Sequence, residues 1–81
     1  MKKVSMYTLS TCPWCRKTKK FFTERNIPFD YIDYDLADEA TQKKIIADMD
    51  RHRASGFPYV MIGEDTVEGY SPDRYTELLG L

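Results

Sequence analysis

The 81-residue sequence predicts an α/β fold, a four-stranded mixed sheet with three helices in the order β-α-β-α-β-β-α. Three observations predict it. Short β-rich runs alternate with longer stretches of helical periodicity, two of those stretches open on a proline in a helix-start context, and the last two strand-like runs are separated by a glycine-containing turn.

Val4 and Met6 alternate with Ser5 and Tyr7 in a first strand that ends near Thr8. Ser10-Thr-Cys-Pro-Trp-Cys then offers hydroxyl side chains suited to capping and, in Pro13, a residue whose missing N–H costs nothing at the first helical position. Cys12 is therefore expected at a helix N-terminus. That helix runs to about Arg25 or Asn26, with Cys15, Thr18, Phe21 and Phe22 as its inward stripe and Arg16, Lys17, Lys19 and Lys20 facing water. Asn26 and Pro28 end it. Phe29 to Tyr34 is aromatic and β-branched enough for a second strand, parallel to the first because a helical crossover joins them, and Asp35 to Asp38 is a polar link.

From about Asp38 to Arg53, Ala40, Ile45, Ile46 and Met49 form a weaker apolar stripe, with acidic residues near the start and Arg51, His52 and Arg53 near the end, as the helix dipole favours. Ser55-Gly56 breaks this helix. Tyr59-Val-Met-Ile is a short strand, Gly63-Glu-Asp-Thr a turn, and Val67-Glu68 the antiparallel return. Gly69-Tyr-Ser-Pro is a second capped helix start, with Ser71 before Pro72 and Tyr75, Leu78 and Leu79 as the packing face.

The length allows one domain, residues 1–81, and 42% hydrophobic residues suit a globular chain rather than a disordered one. Twelve basic against thirteen acidic side chains give a net charge of -1, which supplies no general attraction to nucleic acid or to an anionic membrane. The start of the chain has no long apolar run and no small-residue cleavage site, so no signal peptide is expected, and no stretch has the roughly 20 apolar residues of a membrane span. The expected location is the cytoplasm.

Both cysteines lie in one Cys-x-x-Cys. A disulfide there closes so short a loop that it would stabilise the fold little, which points to chemistry rather than stapling. A structural zinc site needs four ligands, and His52 is the one other usual nitrogen or sulfur donor, so a single chain is not expected to bind metal. His52 itself is expected to face solvent near a helix end.

At Cys12-Pro13-Trp14-Cys15, opening a helix after the first strand, the sequence resembles the glutaredoxins of the thioredoxin superfamily. The resemblance extends over essentially the whole chain through Tyr7-Thr8 leading into Thr11-Cys-Pro-Trp-Cys, Phe57-Pro58 before the third strand, and Glu68-Gly69 before the last helix. It implies a thioredoxin-like fold and thiol–disulfide exchange. It also implies that Pro58 is a cis-proline facing the cysteines and that Phe57 offers its backbone to a substrate segment. Glutathione-using members usually carry a lysine shortly before the first cysteine and an acidic pair after the last glycine, where this chain has Leu9 and Ser71-Pro72. Gly69-Tyr70-Ser71-Pro72-Asp73 more closely resembles the NrdH-type redoxins, which are reduced by a reductase protein and serve ribonucleotide reductase.

The attacking species in such exchange is a thiolate, and the helix start with Arg16 and Lys17 nearby favours that anion at Cys12. Cys12 is thus expected to be the exposed nucleophile and Cys15 the shielded resolving thiol, with Pro13 and Trp14 setting geometry and redox potential. Trp14, Leu9, Tyr70 and Phe57 are expected as an apolar rim, and Phe57, Pro58, Trp14, Gly69, Tyr70 and Ser71 as the substrate-binding set. No tightly bound cofactor is implied beyond the redox-active disulfide. The implied partners are a protein disulfide, ribonucleotide reductase among them, and a thioredoxin reductase-type donor, acting on a monomer. Glutathione as reductant, and an iron–sulfur cluster bridged between two chains, stand as alternatives.

Overall fold

The computed structural model describes residues 2–81; Met1, the first residue of the predicted 1–81 domain, lies outside them. The chain runs β1 (Val4–Thr8), α1 (Pro13–Glu24), β2 (Asp30–Asp33), α2 (Glu39–Arg51), β3 (Tyr59–Ile62), β4 (Asp65–Glu68) and α3 (Pro72–Leu79), in the predicted order. The sheet order is β2-β1-β3-β4. β1 and β2, joined through α1, are parallel, whereas β1 with β3 and β3 with β4 are antiparallel.

Alternation along the strands sorts the core into two clusters. Val4 and Met6 of β1 and Val60 and Ile62 of β3 pack with Phe21, Phe22 and Tyr75, so α1 and α3 cover one face. Tyr7 and Tyr59 point the other way and meet Ile45 and Met49 of α2. Phe22 is central to the first cluster, with Phe21 5.1 Å, Tyr75 5.2 Å and Phe29 5.9 Å away between ring centroids. Removing a ring from such a site typically costs about 3–5 kcal/mol.

Several sequence expectations need correction. α1 stops at Glu24, because Arg25 already leaves helical geometry and Asn26 adopts φ +57°. Tyr34 belongs not to β2 but to a 3-10 turn, Tyr34–Leu36, inside what was expected to be a plain link. α2 begins at Glu39 because Asp38 is its N-cap, with Oδ1 accepting from the Thr41 N–H at 2.8 Å, and it ends at Arg51. Of its expected stripe only Ile45 and Met49 are buried; Ala40 and Ile46 are exposed, since the helix offers the sheet a narrow face. The hairpin turn contains only Gly63 and Glu64, so Asp65 and Thr66 pair in β4. Lys19 does not face water: its Nζ lies 3.2 Å from Asp33 and 3.8 Å from the Tyr31 ring centroid.

Candidate active site

The loop after β1 delivers Cys12 to the first turn of α1. Thr8 at the end of β1 is buried and donates through Oγ1 to Asp33 Oδ1 at 2.5 Å, tying the strand end to its parallel neighbour. Two residues on, the Ser10 N–H donates to Asp35 Oδ1 at 2.8 Å and the Ser10 hydroxyl donates to Oδ2. These bonds hold the Asp35 carboxyl below the usual carboxylate range. Neither Ser10 nor Thr11, the hydroxyl residues suited to capping, caps the helix. The cap is Cys12 itself, because Asp35 takes the serine: Cys12 has extended backbone and its Sγ accepts the Cys15 N–H at 3.3 Å.

This geometry treats the two sulfurs differently. Cys12 is partly exposed, at the N-terminal end of the helix, with its Sγ facing an otherwise unpaired N–H. Cys15, one turn along, is 0% exposed, and both cysteines are free. Burial first, and then its hydrogen bond with Cys12, push the Cys15 thiol up to about 12, while a Leu9 backbone hydrogen bond and the Lys19 charge act in the opposite direction. One sulfur is thus presented and the other is held protonated behind it.

Around the cysteines, Trp14, Phe57, Gly69 and Tyr70 line one shallow groove of about 280 Å³. Trp14 is 53% exposed and stacks on Tyr70 at 5.8 Å, and Lys17 Nζ lies 4.5 Å from the Trp14 ring centroid. Phe57 is half-buried, with its ring 5.7 Å from Tyr34. The Phe57-Pro58 peptide is cis, and the Pro58 carbonyl accepts the Gly69 N–H at 2.7 Å. Gly69 has φ +91°, a conformation that L side chains rarely adopt.

The rest of the predicted set is placed less centrally. Leu9 does not line the groove; it is half-buried, and its carbonyl accepts the Cys12 N–H at 3.2 Å. Ser71 occupies the N-cap position of α3 but makes no side-chain capping bond, since its backbone (φ -142°, ψ 83°) differs from the usual capping geometry. Pro13 opens α1, and Arg16 Nη2 donates to the Ser10 carbonyl at 3.5 Å. Pro58 is buried and does not line the groove.

Sequence reasoning missed the link between these parts. Thr18 Oγ1 donates to the Trp14 carbonyl at 3.0 Å and lies 3.3 Å from the Tyr75 hydroxyl, which donates to the Gly69 carbonyl at 2.6 Å. The cysteine helix, the last helix and the Gly69 loop therefore meet through two buried side chains. The signal was a hydroxyl, Thr18, on an otherwise apolar helix face, which must find partners when buried.

The glutaredoxin family model matches residues 4–67. The chain belongs to the glutaredoxin family. Members are thiol–disulfide oxidoreductases, and the two neighbouring cysteines fit that redox chemistry. The chain is 35% identical to a glutaredoxin from Methanosarcina mazei Go1, whose crystal structure superposes with a TM-score of 0.88 over 99% of this chain and 80% of that one. It is 28% identical over 76 residues to an uncharacterised glutaredoxin-like 8.6 kDa protein in the rubredoxin operon of Clostridium pasteurianum, spanning 94% of this chain and 96% of that protein. The NrdH-redoxin of Escherichia coli, described for its thioredoxin-like activity profile, shares the fold with a TM-score of 0.79 at 22% identity, over 94% of this chain and 93% of that one. The thioredoxin-like architecture expected from the sequence is thus the fold of this chain. Among the described residues no helix is long and apolar enough to cross a membrane.

Proposed function

We propose that this chain is a dithiol redoxin that reduces disulfides in protein partners through Cys12 and Cys15, in the manner of the NrdH-type redoxins. The observation that carries the reading is the asymmetry of the pair: Cys12 Sγ is presented at a helix start, and Cys15 is buried with its thiol pushed up to about 12. Cys12 thiolate attacks one sulfur of the partner's disulfide, forming a mixed disulfide and expelling the other sulfur as a thiolate that takes up a proton. Cys15 then loses its proton and attacks Cys12 Sγ, which expels the partner's second thiolate. Cys12 itself opposes Cys15 ionisation, through the hydrogen bond and through charge, and mixed-disulfide formation removes that opposition. Two electrons and two protons from an external donor then restore the dithiol.

The groove of Trp14, Phe57, Gly69 and Tyr70 receives the partner's segment. Among the described residues the Phe57 N–H and C=O make no backbone hydrogen bond, which leaves them to pair with an added extended strand. The donor we assign is a reductase protein of the thioredoxin reductase type, and ribonucleotide reductase is a partner of the right kind. Support comes from Leu9, Ser71 and Pro72, which replace the charged residues that hold glutathione's ends in glutathione-using relatives. The protein works as a monomer in the cytoplasm on this reading.

Two donor systems run side by side test the assignment: NADPH with thioredoxin reductase, and NADPH with glutathione and glutathione reductase. Turnover of a protein disulfide with the first and not the second is expected. Turnover with glutathione alone would overturn the choice of donor and favour the glutathione-dependent alternative.

A further inference from the structure

The basic side chains divide by what they hold. Lys2, Lys3, Lys19, Lys43, Arg51 and Arg74 each sit against a carboxylate. Among the described residues, six others have no carboxylate within ion-pair distance: Lys44 and Arg53, which stand apart from one another, and Arg16, Lys17, Lys20 and Arg25. The last four cluster along α1 or at its C-terminal cap.

Lys17, Lys20 and Arg25 line a groove of about 400 Å³ between α1 and the start of α3, with Tyr70 on the opposite wall and Glu24 as its one acid. Two of the cations are held over aromatic faces, Lys17 at 4.5 Å from the Trp14 centroid and Arg25 at 3.8 Å from that of Phe21. Side chains fixed this way lose less freedom when they meet an anion. Tyr70 lines this groove and also the one beside Trp14 and Phe57, so the two adjoin at its ring.

We propose that the α1–α3 groove docks an extended acidic stretch of the protein whose disulfide is reduced at Cys12. The inference rests on the disulfide-reducing function proposed above and adds the chemistry of the partner. Charge complementarity selects the occupant: the chain as a whole carries a net charge of -1 and attracts no anion generally, whereas this groove holds uncompensated cations beside the site. The cations are strung along a helix instead of converging on one point, which suits a polypeptide better than a small anion. From Cys12 to Lys20 is about 12 Å and to Arg25 about 20 Å at the helical rise, while an extended segment advances about 3.3 Å per residue. The partner's carboxylates therefore fall about four to six residues from the attacked cysteine.

The test uses two disulfide peptides, identical except for glutamates or glutamines at those positions, with the unmodified chain, Lys20→Ser and Lys20→Glu. Lys20 is exposed and lies outside the cysteine site, so turnover of the small neutral bis(2-hydroxyethyl) disulfide should be the same in all three. At low ionic strength the unmodified chain should show kcat/KM about five-fold higher for the glutamate peptide, mainly through KM, and salt should erase the difference. Lys20→Ser should shrink the preference and Lys20→Glu should abolish or invert it. Equal kcat/KM for the two peptides, or a preference that survives Lys20→Glu, would overturn the proposal. So would inhibition of both peptides alike by inorganic phosphate at constant ionic strength, which would assign the groove to a small anion. If the chain reduces neither the peptides nor the small disulfide, the redox function fails instead. Docking is then decided by whether the glutamate peptide, with serines for its cysteines, shifts the Lys20 and Arg25 amide resonances.

Discussion

Replacing Tyr75 with phenylalanine removes a single oxygen from the junction of α1, α3 and the Gly69 loop. The ring is 0% exposed and packs against Phe21 and Phe22 at 5.4 and 5.2 Å, contacts that phenylalanine keeps. What disappears is the bond donated to the Gly69 carbonyl at 2.6 Å and the contact with Thr18 Oγ1. A buried hydrogen bond of this kind contributes about 1–1.5 kcal/mol, and a carbonyl left partly unsatisfied adds to the loss, so about 1.5–2 kcal/mol is expected. Thr18 retains its bond to the Trp14 carbonyl, which limits the damage at the cysteine helix. For a domain of this size the change lowers Tm by about 10 °C. Urea denaturation gives the free energy directly, and an unchanged slope would confirm that only stability moved. Because Gly69 also donates to the Pro58 carbonyl, the loosened loop should raise KM for protein disulfides. A loss below about 0.5 kcal/mol, within the usual scatter of neutral changes, would refute this account of the junction.

Two further substitutions probe the opposite face and the sheet end. Tyr7→Phe removes the hydroxyl that donates to Asp48 Oδ2 at 2.6 Å and should cost about 1 kcal/mol in urea denaturation near neutral pH. Burial, and then the bond to Asp48, raise the Tyr7 phenol from 10.0 to about 12, so the folded state holds this proton more tightly than the unfolded chain. Its contribution is complete below pH 10.0 and is lost as pH rises through about 12, and Tyr7→Phe should flatten that alkaline decline without abolishing it, because burial raises Tyr59 and Tyr75 as well. Asp33→Asn weakens the acceptor shared by Thr8 Oγ1 and Lys19 Nζ and leaves a partly buried ammonium without its counter-charge; about 1–2 kcal/mol should be lost by the same assay, and an unchanged midpoint would show the cluster to be inert.

The element order and the cysteine helix were legible in the sequence because each rests on local chemistry. Pro13 and Pro72 mark helix starts wherever they occur, and the stripe Cys15, Thr18, Phe21, Phe22 is buried as its spacing requires. Elsewhere local signals were too weak or misleading. Tyr34 has the composition of a strand but turns into a 3-10 turn, where its carbonyl accepts from Gln42 Nε2 and the Ala37 N–H, neither visible as a partner from sequence. Ser10 looked like a cap and instead binds Asp35, 25 residues away. Lys19 looked solvated, yet folding brings Asp33 and Tyr31 of β2 against it. The site followed the same division. The cysteines and the rim residues Trp14, Phe57, Gly69 and Tyr70 carry local motifs, whereas the Thr18–Tyr75–Gly69 junction and the basic groove arise only when α1 and α3 pack side by side.

The central claim is that Cys12 attacks and Cys15 resolves, and one experiment addresses it most directly: intact-mass analysis of Cys15→Ser after exposure to a protein disulfide, with Cys12→Ser as its counterpart. The account predicts a stable mixed disulfide that peptide mapping places on Cys12, and no adduct or turnover with Cys12→Ser. An adduct on Cys15 in the Cys12→Ser protein, or continued turnover by it, would contradict the mechanism.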